Sequence, residues 1–369
     1  MNKIIKSIIM IVCILFPIIN IQAQEVDTKG QVLIVNLNDA YNLLEKNNLD
    51  IKLLNKKIDI AIKKNETALK ASKDAIEKYS YSETTNIEYR KDEKLNWKVT
   101  KLDLEDLNNQ RSILLKDLKN SIKQQYINVL LSSKDAEILN SEIQNIDKKL
   151  NELQIRMKLG QVKETDYKQV LAQKLSLQNQ MNDINRQNEN AQNKLKSMLG
   201  IEIKEKIKLE NMNLPYEAID ENELANKIDI RSNTDFNVYK LNQQLENKKI
   251  EKQIIIDYAV NKNISTIDTS IAELEKKIGQ QVIDNQVKYW NDYYNILSLN
   301  ANVELEELNL ELEKLNYDAV MTKSKLGIVD VATESNARVS YNRQENSVQR
   351  AKYNYILAVE KFNEELEIQ

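Results

Sequence analysis

The chain has 369 residues, with 53 Lys+Arg against 56 Asp+Glu, one cysteine and no histidine. A net charge of −3 gives no electrostatic footing for nucleic acid, and the missing histidine excludes histidine acid–base chemistry and histidine metal sites. With 30% charged and 6% aromatic residues, five glycines and two prolines, the composition suits long amphipathic helices rather than a compact globule.

Residues 1–23 read as a cleaved secretory signal. Lys3 and Lys6 precede the apolar run from Ile8 to Ile19, and Ile21-Gln22-Ala23 offers a small-residue cleavage site. The alternative is an uncleaved anchor, for which the run is short. Cleavage removes two lysines and Cys13, which takes the net charge from −3 to −5 and leaves no thiol for a disulfide. Cys13 lies too deep in the run to be a lipoprotein attachment site. The chain is therefore expected to be exported to the cell envelope.

Residues 24–36 form an extended lead. A short helix follows to about residue 47, with Asn36 or Asn38 as N-cap. Asn48 opens a second helix to about residue 79, whose Ile51, Leu54, Ile58, Ala61 and Ile62 keep helical spacing. A long helix is predicted from about 103 to 159. Its Leu139, Ile143, Ile146, Leu150, Leu153 and Met157 alternate steps of four and three, the seam of a coiled coil. Gly160 can take the left-handed conformation that ends it. A return helix runs from about 164 to 198 along Leu177, Met181, Ile184, Ala191, Leu195 and Met198, interrupted by Asn188.

The same unit then recurs. Gly327 follows Gly160 at an offset of 167 (327 − 160), which sets Tyr126 on Tyr293, Asn128 on Asn295 and Glu137 on Glu304. A short opening helix follows Asp220, a second helix spans about 235–256, a long helix reaches Leu326, and a return helix starts near Asp330. The stripe Ala301, Leu305, Leu308, Leu312, Leu315 and Ala319 is displaced from its counterpart in the first copy. Either the two long helices bury different faces, or a small register slip lies between Tyr293 and Gly327; a helix packed on both sides would carry two stripes, and that account is preferred. The division is residues 1–23 as signal, 24–213 as first repeat and 214–369 as second, the repeats forming one elongated, all-α body of antiparallel coiled-coil hairpins.

The first copy has about 18 extra residues within 80–101, because Asp235 matches Asp50 at an offset of 185 (235 − 50) rather than 167. Ile87 and Tyr89, then Leu95, Trp97 and Val99, alternate with polar residues, which predicts one short β-hairpin.

At this point the chain resembles the TolC-like outer-membrane efflux protein family. Leu37-Asn38-Asp39-Ala40-Tyr41 and Glu45-Lys46-Asn47-Asn48-Leu49-Asp50-Ile51 look like that family's opening pattern. Leu159-Gly160 with Asp166, and Leu326-Gly327-Ile328-Val329-Asp330, look like its hairpin tips, and Leu195 to Gly200 like the end of its first repeat. The resemblance implies a homo-trimeric helical tube, a membrane barrel at one end, and a periplasmic adaptor, coupled to an inner-membrane pump, at the other. It would place Arg156, Gly160, Gln161, Val162, Leu326, Gly327, Ile328 and Val329 against that adaptor. The sequence departs from the family at the barrel. A membrane strand needs about 9–11 residues, and the barrel must close, whereas only the first junction offers strands, and short ones. The tube is carried over and the outer-membrane pore is not, which leaves the expected location as the outer membrane if the host has one and otherwise an extracytoplasmic place in the envelope. Tyr89, Leu95 and Trp97 stand as candidate membrane-facing residues, the other reading being a loop that packs its own aromatics.

No catalytic residue, cofactor or metal is expected, since the carboxylates have neither histidine nor a glycine-rich loop around them. Two functions follow. One is a TolC-like efflux or secretion component, an oligomeric conduit working with an adaptor and a pump. The other is a barrel-less exported coiled-coil structural or adaptor protein.

Overall fold

The computed structural model describes residues 33–212, 214–260 and 263–367. The expected signal, Cys13 and the lead before residue 33 lie outside them. Strand β1 (Leu33–Val35) leads into α1 (Leu37–Asn47) and α2 (Leu49–Ala75). Asn36, not Asn38, caps α1 by accepting the Asp39 N–H at 2.8 Å, and Asn48 caps α2 through the Asp50 and Ile51 N–H groups. After α3 (Glu83–Lys91) and a π-turn (Asp92–Asn96) comes α4 (Trp97–Lys158). Its 62 residues make a rod about 93 Å long at 1.5 Å per residue. The return helix α5 (Glu164–Leu199) and strand β2 (Ile207–Leu209) complete the first copy. The second copy is α6 (Leu224–Thr234), α7 (Phe236–Tyr258), α8 (Ser265–Lys325) and α9 (Val331–Leu366). Matched helices agree in length: 11 residues in α1 and α6, 36 in α5 and α9.

The two long hairpins, α4 with α5 and α8 with α9, are joined side by side where α4 packs on α9. Toward the other end α2 lies along α4, and α7 along α8 and α4. The expected seams hold: Leu139, Ile146, Leu150, Val170 and Leu177 are buried in one cluster, with Ile143, Leu153, Met181 and Ile184 packed around it. Asn188, the polar break in the return seam, donates to Ser133 Oγ at 2.7 Å.

Midway along the body sits a junction the helical periodicity does not reveal. β1 pairs in parallel with β2, Leu33 opposite Ile207 and Val35 opposite Leu209. The buried Tyr126 of α4 holds the pair in place, its hydroxyl 2.9 Å from the Val35 carbonyl oxygen and 2.7 Å from that of Glu210. Ala40, Leu44, Ile51, Ile122, Leu195 and Leu199 fill the core beneath. Gly200 closes α5 in the left-handed region (φ 67°) and lies against Asn47, whose side-chain amide donates to the Leu199 carbonyl oxygen.

The first junction differs from the expected hairpin. Its alternating residues lie in α3, the π-turn and the start of α4. Helix wins there because its side chains pair at helical separations: Arg90 with Glu93, Lys91 with Glu88, and Asn96 with Asp92. The insert also satisfies neighbouring carbonyls. Arg90 donates to the Ala75 and Lys78 carbonyl oxygens at and just past the end of α2, and Ser72 Oγ donates to the Glu93 carbonyl oxygen in the π-turn.

The displaced stripe on α8 reflects two faces, not a slip. Val303 is buried and Glu306, Leu310, Glu313, Tyr317 and Val320 are half-buried. This face meets α9, where Tyr317 stacks on Tyr341 at 5.3 Å and Gln344 donates to Glu306. Leu305, Leu308, Leu312 and Leu315 lie on the opposite face, each 53–67% exposed. The more apolar stripe of α8 therefore points away from the protomer.

Candidate functional site

The hairpin tips are built alike. In the first, the Gln161 N–H donates to the Arg156 carbonyl oxygen and Gly160 N–H to that of Met157. In the second, Ile328 N–H donates to Lys323 and Gly327 N–H to Ser324. This paired pattern requires a left-handed residue after the helix, and the glycines supply it at φ 71° and 70°. No side chain crowds either glycine, so conformation rather than close approach within the chain selects them.

The two tips lie side by side. Gln169 of α5 donates to Asp330 at 3.0 Å, Gln173 to Asn336 at 2.7 Å, and Arg343 to Gln180 at 3.0 Å. Buried polar pairs brace the same region: Arg338 of α9 reaches the buried Glu142 of α4 at 3.4 Å, and Asn346 donates to Asp135 and to the Leu131 carbonyl oxygen. Of the expected tip residues, Arg156, Gly160, Gln161, Leu326, Gly327 and Ile328 are exposed, while Val162 and Val329 are half-buried. Leu159, 66% exposed, joins Leu326 and Ile328 in an apolar surface at the extremity.

The tips differ in one respect. Asp330 caps α9 by accepting the Thr333 N–H at 2.7 Å, and these Thr333 hydrogen bonds hold its carboxyl below the usual range. The matching position in the first tip is Lys163, which makes no side-chain cap. In the first turn of α5, a hydrogen bond from Lys168 lowers the Glu164 carboxyl. Sequence reading passed over Lys158, Lys163, Lys323 and Lys325; laying the two tips over each other at the 167 offset would have exposed the Lys163–Asp330 exchange.

The insert residues are scattered. Leu95 is buried and, with Val99, Leu102 and Leu274, lines a cavity of about 410 Å³ between α4, α7 and α8. Tyr89 and Trp97 are half-buried, with Lys78 5.7 Å and Lys98 5.6 Å from their respective rings. No helix among the described residues is long and apolar enough to cross a membrane.

No protein-family model matches the sequence, and no curated protein matches it. Solved structures do. A structure of CusC, described with transmembrane channel formation, superimposes with a TM-score of 0.64 over 92% of this chain and 94% of that one, at 10% identity. The outer-membrane channel OprN matches with a TM-score of 0.62 over 89% of each chain, at 9% identity. The CmeC outer membrane channel of Campylobacter jejuni matches with a TM-score of 0.60 over 89% of this chain and 85% of that one, at 12% identity. The resemblance drawn from the sequence holds at the level of the fold: this chain has the TolC-like, all-α helical-hairpin architecture of these outer-membrane channels.

Proposed function

We propose that the chain is one subunit of a homo-trimeric helical conduit in the cell envelope, serving an efflux or secretion pump through an adaptor that docks on the hairpin tips. The observation that carries this is the outward leucine stripe of α8. A soluble monomer rarely leaves so regular an apolar row uncovered, and α5 and α8 form the two flanks of the paired hairpins. A head-to-tail contact that sets α8 of one copy on α5 of the next closes into a ring when the rotation permits. The shared fold with outer-membrane channels supports the same arrangement. The subunit performs no chemistry in this reading; the pump supplies the energy.

A second reading rests on a different observation. The insert at the first junction is helical, which favours an exported coiled-coil structural or adaptor protein that spaces envelope components without a barrel. Light scattering of the purified chain separates the two. A trimer in plain buffer supports a barrel-free tube, and a monomer supports the spacer. A trimer found only in detergent means that the insert meets lipid.

A further inference from the structure

The insert of the first copy does more than connect two helices. Its π-turn (Asp92–Asn96) carries Leu95 to the wall of the cavity between α4, α7 and α8, and single π-turns are rare and frequent at functional sites. Leu95, Val99 and Leu102, at steps of four and three, continue as one apolar row from the π-turn into α4, and Leu274 of α8 adds a fourth apolar side chain. Leu95 and Leu102 are buried, while Val99 stays exposed.

Helix α7 brings no apolar residue to this cavity. Gln244, Asn247, Lys248 and Glu251 line it, three or four apart along one helix face. Helices that pack directly bury apolar faces against each other. Here an apolar row on one helix shares a cavity of about 410 Å³ with a polar row on another, a volume within the range of small-molecule sites, about 300–1,000 Å³. A local rule broken without a local gain marks a functional demand.

The charges around the cavity are not all used by the fold. Lys248 is paired with Glu251, which Lys91 also reaches. Asp103, Glu273 and Lys277 are exposed, and none forms an ion pair among the described residues. Lys277 follows Glu273 by four residues on α8 and offsets it. That leaves Asp103, next to Leu102 at the end of the apolar row, as the uncompensated charge.

We infer that this cavity binds an amphipathic cation, with its hydrocarbon part along Leu95, Val99 and Leu102 and its positive group beside Asp103. The apolar row supplies the affinity, and the carboxylate supplies the choice of charge. Such a site serves a monomer as well as a trimer, independent of the conduit reading.

The test is calorimetric titration of the purified chain with decyltrimethylammonium and decyl sulfate, both below their micelle concentrations, and with tetramethylammonium. Decyltrimethylammonium is expected to bind about five-fold more tightly than decyl sulfate, the scale of an exposed ion pair, and tetramethylammonium not to saturate. Asp103→Asn with Glu273→Gln should bring the two decyl compounds within about two-fold of each other at an unchanged melting midpoint. Asn247→Leu with Ser270→Leu fills the cavity with apolar atoms; it should keep the helical content and lose saturable binding. Val99→Asn, at an exposed position, should weaken both decyl compounds several-fold without loss of helix, so the site stays testable if the filled variant misfolds. Equal binding of the two decyl compounds to the unaltered chain, or tighter binding of decyl sulfate, overturns the cationic ligand. Undiminished binding in both the filled and the Val99→Asn variants overturns this cavity as the site, and absence of saturable binding overturns the inference whole.

Discussion

Replacing Leu308 and Leu312 together by Asp should abolish assembly while leaving the protomer folded. The two leucines are 59% and 63% exposed in the isolated chain. Complete burial of a leucine is worth about 1.5–3 kcal/mol, so covering what remains contributes roughly 1–2 kcal/mol for each. With Leu305 and Leu315 the stripe supplies roughly 4–7 kcal/mol to each interface. The double change removes about half of that and adds a penalty of several kcal/mol for each carboxylate forced into the contact. The protomer itself should barely respond, because exposed substitutions away from packing shift stability by about 0.5 kcal/mol at most. Val303→Asp, at a fully buried position on the α9-facing side of α8, is the contrasting control and should unfold the second hairpin. Sedimentation equilibrium reads the assembly and circular dichroism reads the fold. An unchanged association constant in the Leu308→Asp, Leu312→Asp variant would refute the reasoning.

Tyr126→Phe removes the hydroxyl shared between the Val35 and Glu210 carbonyl oxygens and should cost about 0.5–1.5 kcal/mol in urea unfolding, the net worth of a hydrogen bond, since the Val35 oxygen keeps the Glu210 N–H. Gly200→Ala should destabilise more than Gly160→Ala. Both glycines have positive φ, which costs a side-chain-bearing residue about 1–2 kcal/mol, but only at Gly200 would the new Cβ meet Asn47, at 2.8 Å; equal melting midpoints for the two variants would contradict this. Asp330 gives a pH dependence. Its folded value lies below the ordinary 3.8 because Thr333 hydrogen-bonds the carboxylate, so its stabilisation is present above 3.8 and is lost as pH falls through the depressed value. Hydrogen exchange should show the first turn of α9 opening in that acid window, and Asp330→Ala should remove the pH dependence.

Much of this body was legible in the sequence because its helices are long and strongly periodic. The seams of α4 and α5, the helix starts at Asn48 and near Asp330, and the glycine stops all follow from local rules that agree with the packing. Two things did not follow. The alternation at Ile87–Val99 satisfies a strand pattern, but Leu95, Val99 and Leu102 also keep helical spacing, and the side-chain pairs at helical separations, together with the Arg90 and Ser72 bonds to distant carbonyls, decide between them. The β1–β2 pair brings three-residue segments together across most of the first copy, and segments so short carry no periodic signal. At the site, the glycines announced the tips, while the cap that Asp330 makes and Lys163 does not became visible only in the structure.

The central claim, that α8 of one copy lies on α5 of the next, is tested most directly by cysteine cross-linking. Cys13 is the chain's only cysteine, so introduced pairs report cleanly. Leu315 lies 10 residues before the last residue of α8 (325 − 315) and Leu175 lies 11 residues after the first residue of α5 (175 − 164), and both are exposed. A Leu175→Cys, Leu315→Cys variant, oxidised in plain buffer, should yield a covalent product of three chains, and neither single variant should cross-link. Product that stops at one chain, or a dimer formed by Leu315→Cys alone, would contradict a closed head-to-tail ring.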